Sequence, residues 1–282
     1  MERERELRGS DSETESELGE VAAAWGEVLR ESGYELSVTS MRDVRRLSRL
    51  SRTWRIILAA TGLKPPASVF EVGCGGGAQL IPLALNGFTC RGIDASAEVL
   101  ARLANAVERI SRLCNCRLTV ETVHGDFLNY RPRPGEEYDL VFHFGVLEHF
   151  LDEAERLKAL ATMAKLCRAG GYLVSVVPNG MHPLRERQRR GGLGGYCVPE
   201  IDYNPGLMIL EFMRVGAQPL LVRAHNLFSY LLMEPAAGRV RHLMHKAIYY
   251  AAQAVPLMTG KFATCHAGTF IGIARRPGGT HE

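Results

Sequence analysis

"VFEVGCGGGAQL", residues 69–80, runs an apolar, partly β-branched stretch straight into a turn with four glycines and one alanine. That order predicts a strand entering a helix through a loop that hugs its ligand. Taken alone, Gly73-Cys-Gly75-Gly-Gly-Ala78 satisfies the dinucleotide pattern Gly-x-Gly-x-x-Gly/Ala, and Asp94 follows where a ribose ligand belongs. Glu71, two residues before the first glycine, separates the readings. A carboxylate there repels a pyrophosphate and favours a ligand whose near end is positively charged.

Outward from this turn, short apolar runs alternate with helical patterns, the rhythm of a parallel sheet covered on both faces. Strands are predicted near 68–72, 89–93, 118–124, 138–143, 172–177, 218–224 and 268–274. The helix predicted at 96–111 buries Val99, Leu100, Leu103, Val107 and Ile110; another at 152–168 opens on Asp152 and Glu155 and closes at Gly170. The fold class is α/β, a doubly wound, seven-stranded, mostly parallel sheet. Ahead of it, residues 1–17 read as a disordered tail and 18–66 as a helical preface, with helices at 18–31 and 40–60 ending before Lys64-Pro-Pro66. Residues 67–282 form the main domain. Two stretches fall outside its rhythm: 178–206, rich in turn formers and a candidate lid, and a helical insert at 225–266 before the last strand. Phe228, Tyr230, Leu231, Leu232, Tyr249 and Tyr250 of the insert are expected either to roof an apolar pocket or to pack as core or homodimer contact.

Composition bounds the partners. The formal net charge of +3 is too small to indicate a nucleic-acid binder. Arg42, Arg45, Arg46, Arg49, Arg52 and Arg55 line one side of the 40–60 helix, as a solvated face or a guide for anionic substrate or acidic lipid. Neither they nor "RERQRR" at 185–190 carry the interleaved aromatics that stack bases, so nucleic acid is not expected. The seven cysteines lack metal-knuckle spacing, Cys114-Asn-Cys116 being one residue too tight, and read as reduced thiols of a cytoplasmic protein. "MERERELRGSDSETESELGE" at the start has no apolar core of an export signal, and the apolar stretch at 247–258 is shorter than the ~18 residues a bilayer span needs. No membrane span is expected.

Five motifs occur in register: "FEVGCGGG" at 70–77, "GIDAS" at 92–96, "HGDF" at 124–127, "YDLVFHFGVLEHF" at 138–150 and "LCRAGGYLVSVVPN" at 166–179. Together they resemble the class I S-adenosylmethionine-dependent methyltransferases, with Ala169 where proline is usual. The resemblance implies a Rossmann-like sheet and S-adenosyl-L-methionine as cofactor. It places Glu71 and the backbone at Gly73 and Gly75 on the methionine end, with Gly77 allowing close approach. Asp94, beside Ala95, would take the ribose hydroxyls, Asp126 the adenine amino group, and Phe127 an apolar wall. His143, at the end of the fourth strand, is expected near the methyl group.

Methyl transfer mainly requires an aligned nucleophile, and an alcohol acceptor also needs a base. His143, His149 and His182 are the candidates. Some relatives bind a divalent ion through Glu-x-x-Glu-His here, but Gly145 takes the first glutamate position. Glu148 and His149 alone make a poor magnesium site, so no metal is expected. The expected reaction is methyl transfer to a small-molecule acceptor, an oxygen of a hydrophobic or aromatic metabolite. RNA methylation, a cyclisation or rearrangement that only binds the cofactor, and an inactive scaffold partner remain as alternatives.

Overall fold

The structure, a computed structural model, describes residues 36, 38–191, 198–233, 238–254 and 260–278. The tail at 1–17 and the helix expected at 18–31 lie outside the described residues, as do parts of the expected lid and insert.

Two short helices, α1 (Met41–Leu47) and α2 (Arg52–Thr61), precede the sheet. The sequence predicted one helix over 40–60. Instead, Ser51 starts a new helix, its hydroxyl accepting the Trp54 amide at 3.2 Å, and a capping hydroxyl fixes a helix start as firmly as apolar spacing extends a helix. Then come β1 (Ser68–Val72), α3 (Leu80–Leu85), β2 (Thr89–Asp94), α4 (Ala97–Cys114), β3 (Val120–His124), β4 (Tyr138–Phe144), α5 (Glu153–Leu166) and β5 (Cys167–Pro178). The chain continues through α6 (Arg185–Arg189), α7 (Pro205–Arg214), β6 (Gln218–Leu227), α8 (Tyr230–Met233), α9 (Arg239–Ala254), α10 (Lys261–His266) and β7 (Ala267–Arg275).

The strands form one sheet in the order β3-β2-β1-β4-β5-β7-β6. Only β7 runs antiparallel, against both β5 and β6; the other neighbours are parallel. Strand alternation sends Val69 into one apolar layer, with Leu80, Leu103 and Trp54, and Phe70 and Val72 into the other, with Leu160, Met163 and Phe212. All seven expected strands are present. β5 begins five residues before the expected 172, and the helix ahead of it stops at Leu166 instead of running to 168. Gly170, at φ +75°, supplies the turn within this strand. Helix α7 was missed in the sequence, although Asn204 caps it and Pro205 opens it, a standard start signal.

Candidate functional site

Strand order reverses between β1 and β4, and at the carboxyl ends of β1, β2 and β4 the sheet opens a cleft of about 370 Å³. Crevices at such switch points are where open α/β sheets bind ligands. The glycine turn forms one wall. Its first two amides, Gly73 and Cys74, donate to the Ile93 carbonyl at 2.9 and 3.1 Å, tying the turn to β2. Asp94 closes it from the other side, accepting the Gly75 amide at 2.8 Å and the Ser96 amide at 2.9 Å. Gly73 has φ +66°, and a Cβ there would stand 2.5 Å from Val146 Cγ2, so any side chain would push the opposite wall away.

Gly77 is placed differently from the expectation. It does not line the cleft; at φ +80° its Cα faces Leu103 of α4, whose Cδ1 a Cβ would approach to 2.3 Å. The close approach it permits is that of a packed helix.

Glu71, Gly73, Gly75, Asp94, Ala95, Asp126 and Phe127 all line the cleft. Glu71 is 2% exposed and its Oε2 has no hydrogen-bond partner. Burial, and then the neighbouring Asp94 charge, push its carboxyl well above the usual range. A buried carboxyl with an orphaned oxygen is costly unless something positive comes to meet it. Asp126 caps the short 3-10 turn after β3, accepting the Leu128 amide at 2.9 Å and the Asn129 side-chain amide at 2.7 Å. Phe127 is buried, its ring stacked on Tyr130.

The three candidate histidines separate. His149 lines the cleft; its Nδ1 donates to the Pro199 carbonyl at 2.9 Å, since a carbonyl can only accept, and this puts the ring lone pair on Nε2. Burial lowers its pKa, so the ring is neutral near pH 7. His143 sits beneath the cleft in β4, fully buried, with its Nδ1 accepting the Val146 amide at 3.4 Å and Nε2 unpartnered. Burial brings its pKa down to about 3. It does not line the cleft, contrary to the expected place beside the methyl group. His182 is also outside the cleft, packed at 5.1 Å against the Tyr230 ring. The insert residues expected to roof a pocket are likewise absent from the lining; Tyr250 points to solvent, and Phe228 packs edge-on against Tyr230 and Phe262.

The sequence missed the other wall. Phe144 ends β4, and Gly145, Val146 and Phe150 come from the loop after it, which is anchored from below: buried Arg156 donates to the Phe150 and Leu151 carbonyls at 2.8 Å each and pairs with Glu211 of α7 at 2.9 Å. The Tyr203 hydroxyl donates to the other Glu211 oxygen at 2.8 Å. Glu200, some fifty residues away in sequence, joins Glu148 and His149, with one ligand atom of each lying within 4.8 Å of the others. The expected pair therefore becomes a trio. Glu200 is bonded by Arg185 at 2.8 Å, while burial pushes the Glu148 carboxyl up to about 8 and its Oε2 has no hydrogen-bond partner.

A family model for the methyltransferase domain matches residues 70–175, which carry this cleft. The ubiquinone biosynthesis O-methyltransferase of Erwinia tasmaniensis is 30% identical over 176 residues, covering 54% of this chain and 67% of that one. The chain belongs to the class I S-adenosylmethionine-dependent methyltransferases. It spans 38 to 68% of the length of the curated relatives it matches. Among solved structures, a SAM-dependent methyltransferase of Methanosarcina mazei shares the fold at TM-score 0.56 and 14% identity, covering 81% of this chain and 99% of that one. Phosphoethanolamine N-methyltransferase 2 of Haemonchus contortus, in complex with S-adenosyl-L-methionine, aligns at TM-score 0.55 and 13% identity over 80% of this chain and 52% of that one. The cofactor of the family is S-adenosyl-L-methionine, and the cleft fits it: the orphaned Glu71 oxygen suits a cationic end, and the Asp94 carboxylate beside it suits a diol.

Proposed function

We propose that this chain transfers a methyl group from S-adenosyl-L-methionine to an oxygen of a hydrophobic or aromatic small molecule. The observation that carries the reading is the buried Glu71 carboxyl, unpartnered at Oε2 on the wall of a glycine-turn cleft. When bound, the cofactor supplies an electrophilic methyl carbon on a good leaving group. Glu71 and the backbone of Gly73 and Gly75 hold its amino-acid end. Asp94, with Ala95 beside it, takes the ribose hydroxyls, its carboxylate having lone pairs beyond those used by Gly75 and Ser96. Asp126 and Phe127 flank the adenine.

His149 is the base. The Pro199 carbonyl fixes its tautomer, and burial keeps it neutral and able to take a hydroxyl proton. His143 positions the Val146 wall and does not touch substrate. An oxygen acceptor is supported by this base and by the name of the Erwinia relative. The test is incubation with S-adenosyl-L-methionine and a panel of phenols, catechols and hydrophobic alcohols, following S-adenosylhomocysteine and methylated product together, with calorimetric titration of S-adenosylhomocysteine against NAD. Turnover confined to RNA or peptide sinks the small-molecule reading. A rearranged product without S-adenosylhomocysteine makes the chain a cyclase or isomerase, and binding of neither ligand makes it a scaffold.

A further inference from the structure

Helix α9 is inside out. Val240, Leu243, Met244, Ala247, Ile248 and Ala251 recur at the three- and four-residue steps of a single helical face, and all six are exposed, Val240 at 73% and Leu243 at 65%. The opposite face meets the protein through polar groups. His245 donates from Nδ1 to the Leu231 carbonyl at 2.9 Å, Tyr249 donates to Asn226 Oδ1 at 3.2 Å, and Gln253 donates to the Leu227 carbonyl at 2.7 Å. A soluble helix normally buries its apolar stripe and shows its polar one. Here hydrogen bonds hold the helix so that the stripe faces outward.

Charge selects the occupant. Arg239 and Lys246 flank the stripe on one side and Arg241 on the other, and between Glu211 and Glu282 the sequence holds a single acid, Glu234. On the protein-facing side of the last turn of α9, an open groove of about 730 Å³ is lined by Arg52, Arg55, Arg223 and Gln253 with no acidic residue, so the surroundings of the helix are basic as well. Pairing two copies of α9 face to face would set these cations against one another, which disfavours a second copy. An apolar stripe rimmed by Lys and Arg is the pattern of a helix lying in the surface of an anionic bilayer.

We propose that α9 docks this protein onto anionic lipid, with the stripe among the acyl chains and the flanking cations on the phosphates. The insert leaves β6 at its carboxyl end, and β6 runs parallel to β5, so the chain enters α9 from the sheet edge that carries the cleft. A methyltransferase docked there meets acceptors dissolved in the membrane. The docking itself is independent of the acceptor reading.

The test is flotation of the full chain with vesicles of phosphatidylcholine alone and of phosphatidylcholine with phosphatidylglycerol. Wild-type protein is expected to float with the anionic vesicles only and to be released by salt. Leu243→Glu with Met244→Glu, and separately Arg239→Gln with Lys246→Gln, should each lower the partition coefficient roughly tenfold or more while S-adenosylhomocysteine affinity stays at the wild-type value. Failure of wild-type protein to float overturns the proposal, as does flotation indifferent to both variants. A concentration-dependent dimer that the Leu243→Glu, Met244→Glu variant dissociates would give the face to a second copy and also overturn it.

Discussion

At the scale of single residues, Glu71 carries the most chemistry. Its folded pKa is raised by burial, so its stabilising contribution is present below its ordinary value of 4.5 and is lost as pH rises through the raised one. A ligand with an ammonium group binds the ionised form. Cofactor affinity should therefore climb with pH through the same window, with proton release measurable by calorimetry in buffers of different ionisation heat. Glu71→Gln should flatten that dependence and weaken S-adenosylhomocysteine roughly ten- to a hundredfold. His149→Gln should lower kcat by about 10²- to 10⁴-fold on an alcohol acceptor and leave cofactor affinity nearly unchanged, a split that a merely structural histidine would not give. Glu71 and Asp94 were legible in the sequence because each sits at a short offset from the glycine turn, whereas Asp126 was reached only through the resemblance of its motif to the family's. The three histidines were not separable there, since strand position alone does not say whether a ring faces the cleft or the core beneath it.

Elements place these residues, and their joints are where substitutions should tell. Gly77→Ala puts a Cβ at positive φ against Leu103 and should cost about 1–3 kcal/mol in chemical denaturation, with cofactor affinity changing less than stability. Arg156 holds both the loop after β4 and Glu211 of α7. Arg156→Ala leaves a buried carboxylate unpaired and should cost about 3–5 kcal/mol while loosening the Phe150 wall. Helix α4 was legible from its apolar spacing and α5 from its Asp152 start signal, but α7 was absorbed into the flank of a turn-rich stretch although Asn204-Pro205 announces it. Glu200 illustrates the same limit, because it reaches Glu148 and His149 through the fold of that stretch and through no local pattern. Arg185 already supplies a cation to Glu200, so prolonged chelation followed by magnesium should leave turnover unchanged. Loss on chelation and recovery with magnesium would assign a metal to the trio.

Over the whole molecule, acid sensitivity follows from what the fold buries. His143 is brought down to about 3 and His225 to about 4, each by burial first. Unfolding in the window between the ordinary histidine value of 6.5 and these lowered ones releases both rings to take up protons. Stability from these groups is whole above 6.5 and drains as pH falls through the lowered values, so denaturation midpoints should drop steadily from pH 7 to pH 4. The arrangement of charge is also global: Arg52 and Arg55 of α2 and Arg223 of β6, far apart in the chain, meet in one groove beside Gln253 of α9.

The sequence by itself determined the strand count, the glycine turn and the places of Glu71 and Asp94 beside it, because short apolar runs, turn chemistry and short offsets are local properties of a chain. Only the tertiary structure decided which histidine faces the cleft, that Leu103 claims the space beside Gly77, that Glu200 completes a trio, and that α9 turns its apolar face outward. These depend on which side of an element meets a neighbour from elsewhere in the chain. A helix pattern states that two faces exist; only packing assigns one of them to the interior.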